Sequence, residues 1–357
     1  MASGGPLQAL VINNKVSNVC SGGDGEAAAE LVCKAVAEGL SLEGGAEVVL
    51  PSSTGVIGWR LPAKELAEDV VPKAIENIQS DTALSAANAI MTTDRYPKLR
   101  SCTLSNGARL VGIAKGAGMI EPNMATMLSY LFTDTSIDKS TLQSFLSDVV
   151  DESYNSISVD GSESTSDTVV VVSTNKVEGT DLKEFRQALA EVCTGLASDI
   201  VRNGEGTGHV MRVDVKNYPG TDAEARRLGK HVANSPLFKC AVSGNDPNIG
   251  RLAAAIGSFL GRLEEQKEGA TDDLTLTLGG RQIFAKSKFI LEGDEIEQAL
   301  SDHMSGAQFD EKGDFPPHQR FVEIGADFGA GKGTGCAVVL GSDLTQEYVV
   351  VNADYRS

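Results

Sequence analysis

Basic charge, metal-spaced histidines, paired cysteines and long apolar runs are all scarce in this sequence, and each scarcity removes a class of function. Lysine and arginine total 31 against 49 acidic residues, a net charge of −18. Nucleic acid and anionic membrane both need a basic face, so neither is an expected partner. The four histidines, His209, His231, His303 and His318, show no metal-ligand spacing. Each reads as a surface or capped residue, and neither a metal nor an organic cofactor is expected. None of the six cysteines forms a C-x-x-C pair. Most sit in apolar runs such as LVCKAV and KCAVSG, which read as reduced core thiols in a reducing compartment. No apolar run reaches the roughly 18 residues of a membrane span. The opening MASGGPLQALVINN lacks a basic region followed by an apolar one, so no signal peptide is expected. The expected compartment is the cytoplasm, or a mitochondrial matrix or plastid for a eukaryotic source.

Two glycine-rich stretches come close to nucleotide motifs and miss. For a phosphate loop, FGAGKGTG needs glycine where Ala326 stands, and Lys332 is followed by Gly333 instead of serine or threonine. Strand-like CAVVLG follows it, so a bulge or tight turn is the better reading. NGEGTG, Asn203 to Gly208, is not G-x-G-x-x-G and precedes a strand. No G-x-S-x-G elbow is present.

What is present is a mixture of both periodicities. LQALVI reads as strand, GEAAAELVCKAVAEGL as helix and EVVL as a short buried strand running into the turn PSSTGVIG. PAKELAEDVVPKAIENI reads as a helix kinked at Pro72. LRSCTL and ARLVGIAKG flank Asn106-Gly107, a strong hairpin signal. STLQSFLSDVV reads as helix, and NSISVDG and TVVVVSTN as strands. Asp181 with Glu184, and Thr221 with Glu224, read as helix caps. Then follow strand HVMRVDVKN, helix IGRLAAAIGSFLGRL, hairpin LTLTLGGRQIF and late strands RFVEIGADF, GCAVVLG and EYVVVNADY. Strands bunch between groups of helices, which predicts a layered α/β fold with mixed sheets, not a doubly wound parallel sheet. The seam between a larger N-terminal domain, 1–208, and a smaller C-terminal α/β domain, 209–357, is placed by the GEGTG stretch and the charged helix after it.

One residue stands out chemically. Thr126 lies in the apolar run GMIEPNMATMLSYL, shortly after Pro122-Asn123. A threonine there packs with a satisfied hydroxyl, or it is a nucleophile. If the Ala125–Thr126 bond is cut, the freed α-amine sits beside Oγ1 with a reference pKa of about 7.7–8.0, suited to a general base. Thr126 itself can make the cut, by attacking the Ala125 carbonyl in an N-to-O acyl shift. An acyl-transfer site also needs an oxyanion hole. Thr54-Gly55 offers a hydroxyl and an unencumbered amide, or is an ordinary strand-to-helix turn. Lys115 can meet a substrate carboxylate and Glu205 a substrate ammonium, or both are solvated turn residues. Spacing alone leaves these alternatives open.

The segment AKGAGMIEPNMATML resembles the self-cleavage segment of the ornithine acetyltransferase/N-acetylglutamate synthase family, ArgJ. STGVIG at 53–58, MTTDRYPK at 91–98, VDGSESTSDTV at 159–169, RNGEGTG at 202–208, GNDPNIGR at 244–251 and NADYRS at 352–357 follow in the family's order. The resemblance covers nearly the whole chain. It implies a layered αββα-type fold of the ArgJ/DmpA kind, with Thr126 as nucleophile and Ala125–Thr126 as the cleaved bond. Thr54 and Gly55 match the oxyanion pair. Thr92, Lys115, Glu205, Asn352 and Ser357 match substrate-binding positions, with Thr126 touching substrate as well. The implied products are an α chain, 1–125, and a β chain, 126–357, that stay together as α2β2. The implied reaction moves acetyl from N-acetyl-L-ornithine to L-glutamate by a ping-pong route in arginine biosynthesis, with acetyl-CoA as donor in some members. A related N-terminal-nucleophile amidase or aminopeptidase, and a shortened non-catalytic member, are the alternatives. The family carries a longer segment ahead of the strand matched by LQALVINN, so an unpaired sheet edge is expected there. Lys15-Val16-Ser17 stands where the family has small residues.

Overall fold

The computed structural model describes residues 7–121, 127–263, 269, 271–290, 293–309 and 319–354. The chain opens with β1 (Ala9–Asn13), α1 (Gly25–Gly39) and β2 (Val49–Ser53). The two strands pair in parallel, Ala9 opposite Val49 through Asn13 opposite Ser53, and no further strand joins either edge among the described residues. Helix α1 buries Val32, Cys33, Val36 and Ala37, one stripe at helical spacing, against this small sheet. Alternation along β1 divides its side chains. Ala9 and Val11 pack toward α1, while Leu10 and Ile12 join a second cluster on the other side.

Next come α2 (Ala63–Glu65) and α3 (Val71–Glu76), joined by a π-helical turn at Leu66–Val70. Pro72 has no N–H to donate, so the kink expected there takes the form of a widened turn just before it. A short α4 (Leu84–Ala89) leads to β3 (Lys98–Thr103) and β4 (Arg109–Lys115). These form the expected hairpin, with Gly107 at φ +86° and the Asn106 side chain accepting the Ala108 N–H at 3.1 Å. β5 (Leu128–Thr135), α5 (Lys139–Glu152), the short β6 (Ile157–Ser158), β7 (Thr168–Val177) and α6 (Leu182–Arg202) follow.

The order β3-β4-β5-β7 makes a four-stranded mixed sheet. One face, with Ile113, Leu128 and Tyr130, meets β1 and α4, and the other, with Leu110, Ala114 and Leu131, is covered by α5 and α6. Helix, small sheet, larger sheet and helices therefore stack in the layered arrangement expected. Asp181 caps α6 by accepting the Lys183 N–H at 2.8 Å. Glu184 does not complete the expected box. It takes the Ser105 N–H and hydroxyl, each at 2.7 Å, and ties the helix start to the hairpin.

The remaining strands are β8 (Val210–Tyr218), β9 (Thr275–Leu278), β10 (Arg281–Ala285), β11 (Lys288–Phe289), β12 (Val322–Asp327) and β13 (Gly335–Ser342). With β6 they form a seven-stranded mixed sheet, β11-β10-β9-β12-β8-β13-β6. Helices α7 (Asp222–Ala233), α8 (Pro236–Ser243), α9 (Ile249–Gly261) and α10 (Asp294–Ala307) cover one face. The Thr221–Glu224 capping box of α7 is complete. FGAGKGTG is the turn between β12 and β13, with Gly329 and Gly331 at φ +93° and +84° and a bulge near Gly335.

Three further expectations need correction. EYVVVNADY is not a strand. Residues Gln346–Ala353 form helix α11, capped by Thr345, whose hydroxyl accepts the Tyr348 N–H at 3.3 Å. Its valines favour a strand only through a weak propensity, which the cap and tertiary contacts override. All six cysteines are free, but Cys20, Cys240 and Cys336 are exposed instead of lying in a core. His209 is wholly buried between Asp343 (2.8 Å) and Asn245 (3.0 Å), not on the surface. His318 lies outside the described residues. Among the described residues no helix is long and apolar enough to cross a membrane.

Candidate active site

A cavity of about 290 Å³ opens where the two sheets of the layered half meet the loop after α6 and helix α11. Thr54, Gly55, Thr92, Lys115, Glu205 and Asn352 all line it. Thr126, Ala125 and Ser357 lie outside the described residues. Every candidate residue with a described position is therefore at one cavity.

Thr54 follows the last residue of β2 and is 3% exposed. Its N–H bonds the Asn13 carbonyl at 3.0 Å, so the parallel pairing of β1 and β2 sets its position. Gly55 adopts φ +130°, and a Cβ there would lie 2.2 Å from the Lys15 carbonyl carbon. The chain continues as a parallel bridge, with Val56 N–H on the Lys15 carbonyl (2.9 Å) and Ser17 N–H on the Val56 carbonyl (3.1 Å). Lys15-Val16-Ser17 thus meets the turn mainly through backbone, with the Ser17 hydroxyl adding a bond to the Val56 carbonyl (2.9 Å), and the Lys15 side chain is exposed.

Lys115 ends β4 and is 3% exposed. Burial pulls its ammonium below the usual lysine range, opposed by the carboxylates of Asp94, Asp167 and Glu205. Glu205 follows α6 in the Asn203–Gly208 loop. Its N–H bonds the Ala117 carbonyl (2.9 Å), and its Oε2 accepts the Asn352 side-chain N–H (2.7 Å). Its carboxylate lies directly over Gly118, where a Cβ would come within 2.3 Å of it. A cation and an anion therefore face one small space, which suits a zwitterion.

Sequence reading missed the polar frame beneath. Asp94 and Lys98 form an ion pair with both side chains wholly enclosed. The Asp94 carboxylate also accepts the Gly116 N–H (2.8 Å) and the Thr92 N–H (3.0 Å). Burial alone would raise its pKa, but Lys98 and the two amides outweigh burial and hold it below the usual range. One carboxylate thus fixes the Thr92 loop and the end of β4 together. Asn203 performs a similar task, accepting the Arg95 and Tyr96 N–H groups at 3.0 Å each. The only signal in the sequence was the i, i+4 spacing of Asp94 and Lys98, which is common on solvated surfaces.

Asp167, at the foot of β7, is a second missed group. Both its carboxylate oxygens are shut off from solvent, and neither makes a hydrogen bond of ordinary geometry among the described residues. Burial pushes its carboxyl up to about 7, against the pull of the nearby Met127 N–H and Lys115. The folded chain then keeps a proton that the unfolded chain, with a pKa of about 3.9, has released. This group's contribution to stability is full below about pH 4, falls as pH rises, and is lost above about pH 7. Asp167→Asn, which imitates the neutral acid, should therefore gain on the order of 2–4 kcal/mol at about pH 8 and nothing at about pH 4. Urea unfolding at the two pH values checks this, and a variant less stable than the parent at the higher pH contradicts it.

Among the described residues no cluster of His, Cys, Asp and Glu is placed to hold a metal ion. The ArgJ family model matches residues 1–357. The arginine biosynthesis bifunctional protein ArgJ 2 of Clostridium acetobutylicum is 36% identical over 357 residues, covering 98% of this chain and 83% of its own. The ArgJ protein of Agrobacterium fabrum is 37% identical over 367 residues, covering 99% of this chain and 82% of its own. Among solved structures, the arginine biosynthesis bifunctional protein of Bacillus halodurans superposes with a TM-score of 0.53 at 30% identity, over 64% of this chain and 100% of that one.

Proposed function

The chain belongs to the ArgJ family, and we propose that it cleaves itself between Ala125 and Thr126 and then carries acetyl from N-acetyl-L-ornithine to L-glutamate on Thr126. The observation that carries this reading is the single cavity gathering Thr54, Gly55, Thr92, Lys115, Glu205 and Asn352. The flanks of the cleavage segment support it. Upstream, the Ile120 carbonyl accepts the Val159 N–H at 2.6 Å, and downstream the Met127 carbonyl accepts the Thr168 N–H at 3.0 Å.

In this reading the Thr126 hydroxyl attacks the acetyl carbonyl and passes its proton to the freed α-amine. The Thr54 hydroxyl and Gly55 N–H stabilise the oxyanion. The ammonium then protonates the departing ornithine amine, leaving acetyl on Oγ1. The glutamate amine attacks that ester, releasing N-acetylglutamate and restoring the hydroxyl. Lys115 holds the α-carboxylate of each substrate in turn, and Glu205 the side-chain ammonium of ornithine. The α (1–125) and β (126–357) chains stay together as α2β2. Residues 1–208 form the catalytic domain, to which 209–357 return α11.

Intact mass under denaturing conditions tests the first step. The wild type should give two fragments meeting at Ala125/Thr126, and Thr126→Ala a single full-length mass. Glutamate-dependent release of ornithine then tests the second. A wild type that stays whole, or that releases acetate to water regardless of glutamate, overturns the reading.

A further inference from the structure

Helix α11 brings Asn352 to the cavity without burying a single side chain. Val349 and Val350 are 62% and 60% exposed. An element with so little apolar burial is held by its polar contacts, and these are specific. The Thr345 hydroxyl bonds the Gly206 carbonyl at 2.6 Å, and Glu347 pairs with Arg95. Gly206 sits at φ +65°, where a Cβ would come within 2.3 Å of the Tyr348 nitrogen. The Tyr348 hydroxyl donates to Asp160 Oδ2 at 3.3 Å. One turn on, Asn352 Nδ2 donates to both the Tyr348 carbonyl (3.0 Å) and Glu205 Oε2 (2.7 Å).

Asp160 does more than receive Tyr348. Its carboxylate also accepts the N–H groups of Met119 (2.6 Å), Ile120 (3.0 Å) and Ser162 (3.1 Å). Met119 lines the cavity at φ +57°, a conformation that a non-glycine residue keeps only when its surroundings impose it. One carboxylate therefore fixes two walls of the cavity: the turn at Met119 and, through Tyr348, helix α11.

We propose that Asp160 and Tyr348 are positioning residues, acting on the substrate ammonium through Asn352 and the Glu205 carboxylate that Asn352 orients. This rests on the acetyltransferase reading of the cavity. Burial and the Asp160 carboxylate both push the Tyr348 hydroxyl above the usual tyrosine range, so it remains a donor at any working pH.

Tyr348→Phe removes the hydroxyl and little else. It should raise KM for N-acetylornithine about three- to tenfold, the worth of one such hydrogen bond, while leaving kcat and the KM for glutamate unchanged. Glu205→Gln should show the same split, and Tyr348→Phe should add nothing in that background. An equal rise for both substrates, or additive effects, would overturn the proposal. A second measurement does not depend on the substrate. Amide hydrogen exchange over residues 346–353 and at Met119 should quicken in Tyr348→Phe, and unchanged exchange would also overturn it. If the wild type transfers no acetyl to glutamate, the functional reading falls, and exchange alone decides whether the latch exists.

Discussion

Gly55→Ala is expected to remove acetyl transfer almost entirely and to destabilise the chain by about 3 kcal/mol or more. The added methyl would meet the Lys15 carbonyl carbon at 2.2 Å, its oxygen at 2.4 Å and its Cα at 2.6 Å. All three are backbone atoms of the loop that β1 feeds, so no side chain can swing aside. The φ of +130° adds its own strain for any residue with a Cβ. Relief requires the turn to leave the Lys15 loop, which breaks the Val56-to-Lys15 and Ser17-to-Val56 bonds. Thr54 and the residue-55 amide then leave the cavity together. Gly58→Ala is the control. Gly58 also has positive φ, at +86°, but nothing lies within 4 Å of its would-be Cβ. It should lose only about 1–2 kcal/mol of conformational strain and keep its activity. Urea denaturation and a transfer assay on both variants decide the matter. Equal losses would show that the close approach to Lys15 does not govern the turn.

Lys98→Met should cost about 3–5 kcal/mol at neutral pH, because it leaves the wholly enclosed Asp94 carboxylate without its cation. The Gly116 and Thr92 amides remain, but two N–H groups do not replace a charge in a site closed to water. In the wild type the Asp94 pKa is lowered, so its stabilisation is present above the unfolded value of about 3.9 and lost as pH falls through the folded one. The variant carboxyl, lacking Lys98, is raised and takes up a proton sooner. The gap between the two proteins should therefore be widest at neutral pH and narrow below about pH 4. Unfolding curves at both pH values test the sign. A gap that stays constant would mean that lost packing, not an unpaired charge, is the cause. Activity should fall as well, since Asp94 holds Thr92 and Gly116, neighbours of the substrate cavity.

Much of the fold was legible because its signals are local. The Asn106-Gly107 hairpin, the stripe of α1 and the Asp181 and Thr221 caps need only neighbours a few residues apart. The residues now found around one cavity came from a family likeness, since nothing in spacing alone links Thr54 to Glu205 or Asn352. What was missed depends on distant partners. Asp94 and Lys98 look like a solvated i, i+4 pair until α6 and the sheet close over them. Asp160 and Tyr348 are unremarkable apart and meet only when α11 docks. That helix itself read as a strand because its three consecutive valines, Val349, Val350 and Val351, favour strands and its cap, Thr345, is held by Gly206, far away in sequence. Glu184 was expected to serve its own helix and serves the hairpin instead.

The apolar walls of the cavity, Val56, Ile57 and Met119, belong to none of the four apolar clusters that hold the layers together. Inheritance can therefore act on the two sets separately. A lineage can drift through its interiors, exchanging aliphatic residues of similar volume, without redrawing the cavity. It can equally redraw the cavity without loosening an interior. At these three apolar walls, unlike at Gly55 or Lys98, substrate preference and tolerance of heat can change separately.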